Sequence, residues 1–286
     1  MFDILDSKLS KAAPGGWSIY ASRKIGLNGC LVAIDLLNIE SSVIQTISNN
    51  TPFLFLQGDF TNSNVKEMIV DKFYDISQLH QSQRAPKSNT TFTKNNIYTR
   101  NHVQMNVKKL IALNSFLENN NDAIEPLCDE TMKNIIKLLY CRADVIMSDM
   151  AANFTGDQQT DALRTISLCE EALMFAIGKS CFYNLNDNDS RKNDINGNRP
   201  HILFNAFSST SWKDHGLLQV GGAFLCKFFS CGDDNERDLK QTLTIHFDQV
   251  DVIKPSASRK ESAEQYLLAS GFKGNPFIVD SLSFLR

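Results

Sequence analysis

The sequence lacks the features that announce several large functional classes. It has no apolar run of about 18 residues, so no membrane span is expected. No Cys-x-x-Cys pair occurs. The seven cysteines, at 30, 128, 141, 169, 181, 226 and 231, keep no metal-ligand spacing with one another or with the five histidines, and no metal site is expected. Such a scattered, odd set reads as reduced, mostly buried thiols in a cytosol-like or mitochondrial-matrix compartment. Net positive charge is missing too. The formal charge is −3, so a nucleic-acid partner must be argued from a local basic surface. There is no Gly-x-Gly-x-x-Gly, which counts against a nicotinamide dinucleotide site. No signal peptide or Arg/Ser-rich leader stands in the given chain, and any targeting segment is expected upstream of Met1.

What is present suits one large α/β domain: 286 residues, 42% of them apolar. Short apolar runs alternate with longer helical patterns. Cys30–Leu37, Pro52–Phe60, Asp144–Met147, Ala223–Phe229, His246–Ile253 and Gln265–Ala269 read as strands. Runs this continuously apolar suit a sheet covered on both faces. Thr160–Phe182 places Leu163, Ile166, Cys169, Leu173 and Ile177 at steps of three and four, one stripe of a helix. The alternation predicts a doubly wound, mostly parallel sheet in a single domain over 1–286.

Two stretches interrupt it and are expected as insertions, at about 62–140 and 179–219. The first contains Ile76–Phe116, with six Lys/Arg and no acid. With Phe92 and Tyr98 it reads equally as a phosphate-tracking, base-stacking surface or as a solvated insert. The second holds the Asn/Asp-rich run 184–200, too polar to order itself by burial.

The first βα turn of such a sheet binds nucleotide-like ligands. Here it reads Ala12-Ala13-Pro14-Gly15-Gly16-Trp17, removing side chains where backbone must approach a ligand. Asp35 ends the next strand, where an acid can accept ribose hydroxyls. Asp59, in Gln57-Gly58-Asp59-Phe60, is placed to accept from an adenine amino group. Each acid alone is as readily a cap of the next helix. Suitable residues at three successive strand ends favour the nucleoside site.

These pieces, with Ser148–Gly156 (SDMAANFTG), Gly221–Phe229 (GGAFLCKFF) and Lys254–Gly271 (KPSASRKESAEQYLLASG), occur in the order of the FtsJ-type ribosomal RNA ribose 2'-O-methyltransferases, which the chain resembles. The resemblance implies a Rossmann-like, S-adenosylmethionine-dependent methyltransferase fold. ASRKES and ISLCEEAL are most similar to the mitochondrial large-subunit branch. A uridine of mitochondrial large-subunit rRNA, free or in the assembling subunit, is therefore the expected target. Of the family's Lys-Asp-Lys-Glu tetrad, the resemblance assigns Asp149, Lys227 and Glu264. It assigns the methyl donor to Gly15, Gly16, Trp17, Asp35, Asp59 and Asp149. The first lysine has no counterpart, since Lys8 and Lys11 sit in the wrong motif position, and the given N-terminus is expected to be truncated. A catalytically impaired RNA- or ribosome-binding factor is the alternative reading.

An ordinary lysine is protonated at neutral pH, with a pKa near about 10.4. It becomes a base when burial and a neighbouring cation act on it. In that reading Lys227 is the general base, Asp149 steers it, and Glu264 fixes the lysine or the target ribose. Lys227 lies in the otherwise apolar run AFLCKFF, where an unpaired charge is costly. Lys254, Arg259 and Lys260 flank the last strand and are candidate phosphate contacts.

Overall fold

The computed structural model describes residues 2–4, 15–82, 107, 108, 110–112, 114, 115, 128–153, 155–183, 211–230, 234–255 and 263–274. The apolar runs pair as one seven-stranded sheet. Its strands are β1 Phe2–Ile4, β2 Leu31–Asp35, β3 Phe53–Gln57, β4 Ala143–Ser148, β5 Leu218–Phe229, β6 Phe247–Ile253 and β7 Glu264–Phe272. In space they lie in the order β3-β2-β1-β4-β5-β7-β6. The first five run parallel, and β7 is antiparallel to β5 and β6. Strand order reverses between β1 and β4, so the carboxyl ends of these strands open a crevice there.

Helices cover both faces, as the unbroken burial of β2 requires. On one face α1 (Gly16–Ile25) and α2 (Ser41–Ser48) bury Ala21 and Ile47 against Leu31 and Met147, with Leu225 at the margin. The other face holds the larger core. There α3 (Ser63–Ser82), α5 (Gln158–Ile177) and α8 (Asp234–His246) bring Ile69, Phe73, Ile166, Leu173, Leu239 and Leu243 onto Ile146, Phe224, Phe228 and Leu267. A helix α4 (Asp129–Tyr140) packs on α3. The predicted stripe on α5 begins at Ala162, fully buried, rather than at Leu163, which is 39% exposed. Gly178 also ends that helix at Ile177, before the predicted Phe182.

Both expected insertions begin and end in ordered structure. Asn62–Tyr140 opens with α3 and closes with α4, and both ends belong to the helical layer. Helical residues at 107, 108, 110–112, 114 and 115 place Leu110 in a small core with Ile135 and Leu139, so the end of the basic stretch docks on α4. Residues 83–106 and 116–127 lie outside the described residues. In the second interval, α6 (Lys179–Tyr183) and α7 (Trp212–His215) pack together, and β5 begins at Leu218 rather than Ala223. Residues 184–210 lie outside the description.

Where that excursion leaves and returns, two glycines meet. Gly178 (φ 85°) ends α5 and Gly216 (φ 66°) ends α7. A Cβ on Gly178 would fall on the carbonyl of Asp214 and the amide of Gly216; one on Gly216 would fall on the carbonyl of Ala176. The approach lets the Leu217 amide bond the Ala176 carbonyl at 2.9 Å while the Leu217 carbonyl accepts from Ala143 at 2.8 Å, joining helix to sheet. Gly26 has a similar backbone angle, φ 60°, but faces open space. Gly216→Ala is therefore expected to destabilise by about 1–3 kcal/mol more than Gly26→Ala, because only the former adds a clash to the same backbone strain. Urea midpoints of the two variants measure the difference; equal midpoints would refute the close-approach account.

Candidate functional site

Lys227 owes its position to the alternation of β5. Phe224, Cys226 and Phe228 are fully buried on one face, so Leu225 and Lys227 turn to the other, towards α1. Asp149 follows the last residue of β4. The β4–β5 register pairs Ser148 with Cys226, bringing the next residues, Asp149 and Lys227, side by side. Lys227 Nζ lies 2.7 Å from Asp149 Oδ1, with side chains 11% and 17% exposed.

Across the antiparallel β5–β7 pair, Lys227 faces Tyr266 and Phe229 faces Glu264. The Tyr266 hydroxyl lies 3.1 Å from both Asp149 Oδ1 and Glu264 Oε1. Its ring packs against Trp17, with centroids 5.5 Å apart and planes tilted by 31°. The structure thus brings together the three residues assigned to catalysis and adds Tyr266, which sequence reasoning passed over as merely the aromatic residue after the acid.

Burial pushes the Asp149 carboxyl above its ordinary range, against the opposing pull of the Lys227 ammonium. The Tyr266 phenol is pushed far up by burial and then by the two carboxylates, so it keeps its proton. That hydroxyl has one proton for two acceptors.

The loop after Asp149 is fixed by another acid missed from the sequence. Asp161, in the first turn of α5, accepts from the Thr155 amide and hydroxyl, each at 2.8 Å, and from the Gly156 amide at 3.2 Å. These bonds, the Thr155 amide foremost, hold its carboxyl below the usual range. They give a reason for Thr-Gly followed by an acid five residues on.

The expected cofactor residues line the same edge. Gly15 (φ 100°) turns the chain into α1, and a Cβ there would strike Val43 at 2.6 Å. Asp35, 1% exposed, ends β2 and accepts the Leu37 amide at 2.8 Å. Asp59 lies two residues beyond β3 and is exposed. Its Oδ1 accepts from the Thr61 amide at 2.9 Å and the Thr61 hydroxyl at 2.7 Å, ordering the turn before α3. Lys254 follows β6 at this edge, one residue beyond the Ile253–Tyr266 pair. Arg259, Lys260, Lys8 and Lys11 lie outside the described residues.

A shielded ion pair predicts its own response to substitution. Asp149→Ala leaves the Lys227 ammonium buried without its partner and is expected to cost about 3 kcal/mol. Adding Lys227→Met removes the stranded charge and should recover most of that loss. Denaturant unfolding of the wild type, single and double variants tests the coupling; additive losses would mean that the pair does not interact.

Three bacterial proteins named ribosomal RNA large subunit methyltransferase E are similar to part of the chain. That of Rhodopseudomonas palustris (strain TIE-1) is 34% identical over 153 residues, 54% of this chain and 46% of that protein. That of Sinorhizobium medicae (strain WSM419) is 36% identical over 160 residues, 56% and 47%. That of Bartonella tribocorum (strain CIP 105476 / IBS 506) is 37% identical over 148 residues, 52% and 45%. The matches span about half the length of these curated relatives. A crystal structure of human methyltransferase-like protein 13 in complex with SAH aligns over 100% of this chain and 80% of that one, at 10% identity and a TM-score of 0.32, and no conclusion rests on it. A sequence model of the FtsJ-like methyltransferase family matches residues 11–272, and the chain belongs to that family.

Proposed function

We propose that the chain methylates a ribose 2'-hydroxyl of ribosomal RNA from S-adenosylmethionine. We further propose that the target is a uridine of mitochondrial large-subunit rRNA, free or in the assembling subunit. The observation that carries the reading is the shielded Lys227–Asp149 pair, 2.7 Å apart at the crevice edge. Family membership supports the methyl transfer, and the names of the relatives support ribosomal RNA. ISLCEEAL and ASRKES support the mitochondrial branch.

The residues fit the methyl donor. The Lys227–Asp149 pair and the Glu264 carboxylate meet around Tyr266, whose ring packs against Trp17. A cation is favoured at such a place. Asp35 would hold the nucleoside ribose, and Gly15 keeps its turn clear of side chains. S-adenosylmethionine, when bound, supplies an electrophilic methyl carried on a sulfonium.

The protein's own part is proton transfer and positioning. Lys227, once its own proton has passed to solvent, accepts the one that leaves the ribose hydroxyl during attack. Asp149 aims the amine, and Tyr266 ties Asp149 to Glu264, so the three groups move as one. Burial and a neighbouring positive charge are the general means of turning a lysine into a base.

Lys227→Ala should abolish labelled-methyl transfer to a large-subunit rRNA fragment while adenosylmethionine binding, read by calorimetry, stays near wild type. Lys227→Arg should be equally inactive, because a guanidinium keeps its proton. Transfer retained in Lys227→Arg would eliminate the base role. Binding of both ligands without turnover by the wild type would favour the impaired RNA-binding factor. A fluorescent fusion located outside mitochondria would overturn the compartment.

The pH profile follows from Asp149. Its raised pKa means that the ion pair is lost as pH falls through a value above the ordinary 3.8. The acid limb of the transfer rate should lie above that value and vanish from the residual rate of Asp149→Asn. The stability contribution has the opposite sign. Ionising Asp149 opposes folding, so that contribution is present below the unfolded pKa and lost as pH rises through the folded one. A limb at the ordinary carboxylate value in the wild type would refute the role of burial.

A further inference from the structure

A second buried carboxylate grips β5 just beyond the lysine. Glu236 lies in the first turn of α8, yet it is only 4% exposed. Acids in first turns usually face water and complement the helix dipole. Burying one is costly unless its oxygens are bonded. Here Glu236 Oε2 accepts the Ser230 hydroxyl at 2.9 Å, and Oε1 lies 2.5 Å from Lys240 Nζ. Lys240 in turn lies over the Phe228 ring, 5.6 Å from its centroid.

Ser230 is the first residue after β5. Its amide donates to the Ala263 carbonyl at 3.0 Å, carrying the β5–β7 ladder one step past the Phe229–Glu264 pair. The serine is therefore held twice, by its backbone to the residue before Glu264 and by its side chain to Glu236. Ladder ends open first unless something holds them closed. At this end the ladder sets the distance between Lys227 and Glu264.

We infer that Glu236 is a positioning residue for methyl transfer: through Ser230 it locks the catalytic end of β5 to the start of β7. The inference rests on the reading given under Proposed function. Asp161 has the matching place on the other side, where the first turn of α5 fixes the loop after Asp149. In both cases an acid at the start of the next helix faces inward and holds the chain leaving a site strand.

The test uses the full chain, labelled S-adenosylmethionine and a transcribed large-subunit rRNA fragment. Glu236→Ala should lower kcat about tenfold, as sub-ångström to ångström misplacement of a reacting group does. Calorimetric affinity for S-adenosylmethionine should stay unchanged, and the Ser230 amide should exchange faster with deuterium. Glu236→Gln keeps an acceptor oxygen for Ser230 and should restore kcat to within about threefold. Ser230→Ala removes one hydroxyl, should reproduce the kcat loss, and carries the test if Glu236→Ala does not fold. Unchanged kcat or unchanged Ser230 exchange, in an active wild-type background, would overturn the inference alone. Equal loss of kcat, donor affinity and thermal midpoint in the Gln variant would reduce Glu236 to a general structural role. A wild type that transfers no methyl would remove the proposed function, and this inference with it.

Discussion

A lysine ammonium and an aspartate carboxylate lie 2.7 Å apart, both largely shielded from water, and this contact constrains the molecule more than any other. Taking either charge out of solvent costs several kcal/mol, and their attraction repays it only with good geometry and further hydrogen bonds. The surroundings read as answers to that requirement. Tyr266 gives Asp149 a second partner, and the ring of Trp17 covers Tyr266. Asp161 pins the loop that begins at Asp149. Breaking any of these loosens a pair that cannot tolerate being half-made.

The sheet makes the pair possible through parity. Even-numbered residues of β5 from 224 to 228 are fixed in the larger core, so 225 and 227 must face α1 and the crevice. A slip of one residue would turn Lys227 into the larger core and three apolar side chains out of it, so core packing also sets the register of the site. The irregularity this strand contains lies at the opposite end. Register shifts between Ala143 and Val145, beside Gly221 and Gly222. The strand bends there and arrives at the catalytic edge in regular pairing.

Much of this was legible in the chain. Continuous apolar runs gave the strands within a few residues, because strands covered on both faces have no polar alternation to confuse them. Asp35 stands at its predicted strand end, and Lys227 was conspicuous as the one charge in an apolar run. Contacts across sequence left no period to read. Tyr266 joins the site only because β7 runs antiparallel to β5, and Glu236 looks like any dipole-compensating acid until α8 is seen to turn it inward. Asp59 is expected as a ligand contact, and its Oδ1 also orders the turn before α3 by accepting from Thr61. The expected insertion from Asn62 to Tyr140 also hid two packed helices. Its basic, acid-free middle suggested a loop, while Ile69, Phe73, Ile135 and Leu139 carried the helical stripe on either side.

The remaining step concerns charge. Among the described residues, two carboxylates and one ammonium meet around Tyr266, and burial raises the Asp149 carboxyl against the pull of Lys227. A bound cation changes that balance. With added positive charge nearby, the ionised form of Asp149 is favoured. In the proposed reaction, binding the donor therefore strengthens the carboxylate that orients Lys227. The target hydroxyl then meets a site whose amine is already oriented by Asp149 and held in place by the β5–β7 ladder. In that proposal the ion pair sets the geometry of the amine before the donor arrives.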